Sequence, residues 1–192
     1  MCRLSKDYLV LFVFIIFNLQ VFASDSEQIV NTQLFGLNFK NCDIDEMREA
    51  IISYGGVAKS EAGFIVQYFD SKKILEESRD LKLLSDEKGQ LSVAIYEMPS
   101  KMDVDQITRI RKMVELKYGP PSFSTGKESL GSVRHVWNLS DGVRVFVERL
   151  WPQTTTWLGF IDPDAEDRRI AEMEESKKRR EEEKLKSIYH AI

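Results

Sequence analysis

Apolar positions recur along this chain at two periods, 3.6 and 2, and the switch from one to the other marks its elements. In DIDEMREAIISYGG (Asp43 to Gly56), Ile44, Met47, Ile51 and Tyr54 share one helical face. In DVDQITRIRKMVELKYGPP (Asp103 to Pro121), Val104, Ile107, Ile110, Val114 and Tyr118 do the same. Each stretch opens on an Asp placed as N-cap, with Glu46 or Gln106 three residues on, the spacing at which a capping box closes. Cys42 with Met47, and Met102 with Ile107, occupy the flanking positions of a hydrophobic staple. Gly55 and Gly119 stand where a left-handed C-terminal cap belongs, and Pro120-Pro121 stops the second helix. From Asp to Tyr is 11 positions in the first stretch (43 to 54) and 15 in the second (103 to 118). The difference is close to one helical turn of about 3.6 residues, so the pattern predicts one unit written twice.

Each helix is followed by runs of period 2. After the first come GFIVQYF (Gly63 to Phe69), an ambiguous SKKILEES, and LKLLSDEKGQLSVAIYEM (Leu81 to Met98) with a turn at Asp-Glu-Lys-Gly. After the second come SVRHVWNL (Ser132 to Leu139), GVRVFVERLW (Gly142 to Trp151) and TTTWLGFI (Thr154 to Ile161). LFGLNF (Leu34 to Phe39) reads as one further strand ahead of the first helix. Strand runs punctuated by two helices, without strict β-α-β alternation, predict an α+β fold: an antiparallel sheet with both helices on one face.

The order FG-L, capped helix, Tyr-Gly, then a meander containing LKLLSDEKGQLSVAIY resembles the β-lactamase-inhibitor-protein-like modules, which also occur in the small lipoproteins of the outer-membrane barrel-assembly machine. The likeness covers Leu34 to Ile161 as two tandem modules. It implies binding to other proteins through the sheet and its loops, with no catalytic centre. Two features depart from that family: there is no lipid-attachment cysteine, and there are no paired cysteines. No functional residue carries over position by position.

The ends differ in character from the middle. Arg3 and Lys6, the apolar run Leu9 to Phe17, and Val21-Phe22-Ala23 have the layout of a cleaved secretory signal over residues 1–23. The apolar run is short of the roughly 20 residues of a spanning helix, so no membrane anchor is expected after cleavage. The division that follows is a first module over 24–98, a second over 99–162 and a charged helix over 163–192. That helix has Asp162 as N-cap and Pro163 at its first position. Between Asp164 and Ser187 it carries nine acids and eight bases with no core-facing stripe, and Leu185, Ile188, Tyr189 and Ile192 gather at its far end.

Charge and cysteines narrow the partners. The chain has 27 basic and 31 acidic residues, a net −4, which becomes −5 when Arg3, Lys6 and Asp7 leave. Such a surface argues against nucleic acid. Export with Cys42 as the one remaining thiol excludes an internal disulfide and leaves a dimer cross-link as its redox option. Chemistry is thin. His135 shares the strand face of Val133, Trp137 and Leu139, where an imidazole packs, and His190 suits a helix C-terminus. Asp-Ile-Asp-Glu and Asp-Val-Asp-Gln lack the glycine and third oxygen ligand of a calcium loop; GKES (Gly126 to Ser129) lacks phosphate-loop spacing. Asn138-Leu139-Ser140 is a glycosylation sequon only on a eukaryotic route. No cofactor, metal or catalytic residue is assigned.

The expectation is an exported, non-enzymatic protein-binding or scaffolding protein of the bacterial envelope or exterior, periplasmic or extracellular, an inhibitor or assembly factor among the options. The partner is another protein or a second copy in a homodimer. It is met by the uncovered sheet face at Phe146, Trp151 and Trp157, or by Leu185, Ile188 and Tyr189 of the tail. Two alternatives stay open: a secreted hydrolase using a carboxylate pair, and a carrier of a small apolar ligand between sheet and helices.

Overall fold

The computed structural model describes residues 31–61, 66–100, 104–153 and 155–189; the signal segment expected over 1–23, Met102, the cap expected at Asp103, His190 and Ile192 lie outside them. A two-residue hairpin comes first, β1 (Gln33–Leu34) and β2 (Leu37–Asn38). The expected single strand across Leu34 to Phe39 is thus corrected: Phe35 and Gly36 take φ of 53° and 79°, as a tight two-residue hairpin turn requires.

Helix α1 (Ile44–Ser53) starts where Asp43 Oδ1 accepts from the N–H groups of Asp45 at 2.8 Å and Glu46 at 3.4 Å. It ends in a Schellman motif. Gly55, at φ 94°, donates to the Ile52 carbonyl and Gly56 to that of Ile51. Four strands follow: β3 (Val57–Glu61), β4 (Val66–Asp70), β5 (Asp80–Ser85) and β6 (Leu91–Pro99). Helix α2 (Val104–Tyr118) closes with Gly119 N–H on the Glu115 carbonyl, at φ 78°. Four strands follow it as well: β7 (Phe123–Lys127), β8 (Leu130–Asn138), β9 (Arg144–Arg149) and β10 (Thr155–Ile161), before helix α3 (Pro163–Tyr189).

The eight strands make one antiparallel sheet in the order β3-β4-β5-β6-β10-β9-β8-β7. The last strand of each half lies at the middle, β6 against β10, with Tyr96 opposite Leu158 and Ile95 opposite Gly159. The outermost strand of each half, β3 (VAKSE) and β7 (FSTGK), was not expected from the sequence. Both are edges, and polar, Lys-bearing composition keeps an edge from recruiting further strands.

One face of the sheet carries Phe69, Leu81, Leu83, Ala94, Tyr96, Met98, Leu158, Phe160, Val145, Val147, Val133 and Trp137. Ile44, Met47 and Ile51 of α1 and Ile107, Ile110 and Val114 of α2 are buried in the same cluster. Each helix therefore turns its apolar stripe to this face, the amphipathic solution for a helix on a sheet. Cys42 is buried in it too. Burial first, then Glu46 and Asp43, push its thiol up to about 11, which disfavours the reactive thiolate. Gln106 is buried: its Nε2 donates to Pro99 O and Glu77 Oε2, each at 3.0 Å, and its Oε1 accepts from Thr156 Oγ1 at 3.0 Å. One amide thus pins α2 to both central strands.

Helix α3 starts at Asp162, whose Oδ1 accepts from Asp164 N–H at 3.1 Å. It packs its first turns on β5 and β6: Ala165 is buried, Arg168 Nε donates to Asp86 Oδ2 at 3.2 Å, and Glu172 Oε2 accepts from Glu87 N–H at 2.8 Å. From Lys177 to Tyr189 every residue is exposed.

Candidate interaction surfaces

The far end of α3 presents Leu185 at 67% exposure, Ile188 at 48% and Tyr189 at 79%. Spacings of three and four put them on one side of the helix. What raises this end off the sheet is the run Lys177 to Lys184, eight charged residues with no apolar side chain to pack. Glu175 and Arg179, four residues apart on this helix, lie 4.0 Å from each other.

The sheet face turned away from α1 and α2 is built from the alternate residues of the same strands. Along its middle lie Phe146, Gly159, Ile95 and Lys82, opposite one another in register. Phe146, expected to be exposed, is only 5% exposed. Its ring lies where a Cβ on Gly159 would stand, so a missing side chain in β10 makes the slot that a large one in β9 fills. The Arg134 guanidinium sits over the other part of this ring, 5.6 Å from its centroid, and its Nε is 3.8 Å from Glu148 Oε2. Trp157, in the next row across, is half-buried, and its Nε1 is shut off from solvent with no hydrogen-bond partner among the described residues. Trp151, just past the end of β9, is 62% exposed. The three aromatics therefore differ: one is packed, one half-packed and one open.

A third feature lies on the helix side. Leu34, Ile74, Leu75, Met113, Val114 and Tyr118 wall an apolar cavity of about 240 Å³ whose floor is Tyr96, Leu158 and Phe160 and whose one charged lining residue is Lys117. The ambiguous segment SKKILEES delivers Ile74 and Leu75 to it: it forms no strand, but a connection held at its ends by a 2.7 Å hydrogen bond between the buried Ser71 and Ser78 hydroxyls. The wall continues along α2 into a cavity of about 200 Å³ that shares Leu75 and Met113. Beyond it lies a polar cavity of about 580 Å³ lined by Lys72, Glu76, Glu77, Pro99, Gln106 and Arg109. Of its acids, Glu77 is held by Arg109 and Gln106.

A polar knot joins the β7–β8 hairpin to α2. Glu128 accepts from Thr108 Oγ1 at 2.5 Å and from Arg111 Nε at 2.6 Å, and Arg149 Nη2 donates to its backbone oxygen at 2.6 Å. Burial pushes the Glu128 carboxyl up, but the hydrogen bonds from Thr108 and Arg111 outweigh it and hold the group below the usual carboxylate range. His135 Nδ1 and Ser124 Oγ share a hydrogen bond of 2.8 Å. The other ring nitrogen is 3.2 Å from Glu128 Oε1 without hydrogen-bond geometry. Ser124, His135 and Glu128 superficially have the composition of a nucleophilic triad. The carboxylate, however, is spent on Thr108 and Arg111 and does not orient the ring, as a triad needs. The packed imidazole expected from the strand face is what the geometry shows.

Among the described residues no group of three or more His, Cys, Asp or Glu is arranged to hold a metal ion, and no helix is long and apolar enough to cross a membrane. Comparison with protein-family models, with curated proteins and with solved structures returned no match.

Proposed function

We propose that the chain is an exported, non-enzymatic protein-binding or scaffolding protein of the bacterial envelope or exterior, built from two copies of one helix-plus-four-strand unit. The copies would meet back to back at the middle of the sheet, and α3 would engage the partner. The duplication draws support from register. Tyr54 and Tyr118, which close the two helices, are 64 positions apart (118 less 54), and so are Ile95 and Gly159 (159 less 95). Those last two are cross-strand partners at the β6–β10 seam, so equivalent positions of two copies pair with each other there, as a local two-fold axis demands.

The observation that carries partner binding is the C-terminal half of α3, exposed throughout from Lys177 to Tyr189 with Leu185 and Ile188 on one side. Apolar side chains at helical spacing on a helix that has left its own core suit insertion into an apolar groove of another protein. The charged run before them supplies reach and solubility.

A photoreactive side chain at Lys186, in the chain expressed and exported in a bacterial host, tests this. One cross-linked protein, identified by mass spectrometry and lost when Leu185→Asp and Ile188→Asp are combined, is the expected result. Cross-linking that survives the double substitution but falls with Trp151→Ala and Trp157→Ala moves the interface to the sheet. A chain that stays in the cytoplasm with residues 1–23 attached ends the export reading.

A further inference from the structure

The apolar cavity under α2 is open on one side, with the exposed Lys117 at its edge. Lys117 Nζ donates to the Gln33 carbonyl at 2.8 Å and lies 5.0 Å from the Tyr118 ring centroid. No carboxylate of the described residues pairs with it. An ammonium has three donors, so it retains capacity for an anion. Around it the lining is aliphatic and aromatic, and burial already presses its pKa down. An arriving negative charge would relieve that cost.

The shape selects among anions. The cavity runs on into its neighbour through Leu75 and Met113 and ends where Arg109 and Glu77 neutralise each other. Lys117 and Arg109 are eight residues apart on α2 (117 less 109), a span of roughly 12 Å at 1.5 Å per residue. A trough of that length, apolar between Lys117 at one end and the Arg109–Glu77 pair at the other, fits one extended hydrocarbon chain with one anionic head. Met113, 42% exposed at the rim, marks the way in.

We propose that the trough under α2 is a binding site for a fatty acid, with the carboxylate on Lys117 and the chain lying along Leu75, Met113 and Leu158 toward Ile110. The site is separate from the α3 end, so the two readings stand or fall independently.

Calorimetric titration of the purified full chain with dodecanoate and with dodecyltrimethylammonium, both below their micellar concentrations, tests the proposal. One saturable site for dodecanoate is expected, with the cationic amphiphile bound at least tenfold more weakly. Removing two carbons from the acid should weaken binding by roughly tenfold or more, as lost apolar burial requires. Lys117→Glu should abolish the preference for the anion, and Met113→Trp, which fills the mouth from a half-open position, should weaken both amphiphiles at least tenfold with the thermal midpoint retained. If Met113→Trp unfolds the chain, the head-group preference and its loss in Lys117→Glu decide alone. Binding without saturation, equal affinity for both head groups in the unsubstituted chain, or a preference unchanged by Lys117→Glu overturns the assignment.

Discussion

At the scale of the residue, His135 sets a pH dependence. Burial depresses its imidazole pKa below the ordinary 6.5, with Glu128 pulling the other way and Arg111 adding to the depression. The unfolded chain therefore takes up a proton on this ring near pH 6.5 while the folded chain resists it. The His135 contribution to stability is complete above that value and is lost as pH falls below it. The urea midpoint should drop between pH 7 and pH 5.5, and His135→Gln should flatten that part of the profile; an unchanged slope would remove His135 as the cause. Glu128, held below its usual range, acts in the same direction only at lower pH, beneath 4.5. Gly159 is the second residue with a sharp consequence. Gly159→Ala would push a methyl into the Phe146 ring and should cost about 1–3 kcal/mol by overpacking. Combining it with Phe146→Leu should restore part of that loss, since the two sites are coupled. The packed character of His135 was legible from strand period. The burial of Phe146 was not, because it depends on which residue of another strand stands opposite, and spacing within one strand carries no register.

At the scale of the element, Asp86 is the hinge point of two structures. Its Oδ1 accepts from the N–H groups of Lys88 at 3.0 Å and Gln90 at 2.9 Å, shaping the β5–β6 turn, while Oδ2 takes Arg168 of α3. The side chain is buried. Asp86→Ala should cost on the order of 2–3 kcal/mol in chemical denaturation, through lost hydrogen bonds and stranded donors, and should loosen the first turns of α3 in amide exchange. Removal of residues 177–192 should leave the unfolding midpoint unchanged within error, because among the described residues of that stretch all are exposed. A marked fall would mean that the helix end returns to the domain in solution. Both core helices were legible because cap, stripe and glycine agreed on them. β3 and β7 were hidden because VAKSE and FSTGK have little to bury: all five residues of β7 are exposed. Backbone pairing at the sheet margin recruits them, and hydrophobic periodicity cannot report it.

At the scale of the whole molecule, the two halves share one sheet and one buried cluster, so they should unfold together. Trp137, Trp151 and Trp157 all lie in the second half, whereas far-ultraviolet circular dichroism reports both. Coincident transitions by fluorescence and dichroism are the expected outcome of urea titration; a separated dichroism phase would show the halves to be autonomous. The α+β class and the helix-covered face were readable from the sequence. The strand order was not, since nothing local announces that β6 and β10 meet. Their meeting has a consequence for biogenesis. A nascent chain completes LSVAIYEMP well before it completes TTWLGFI, so the inner margin of the early half stays open, apolar and ready to stick until the last strand of the late half emerges. A polypeptide of this topology is vulnerable for most of its synthesis, and any factor that shields it must hold on until nearly the end.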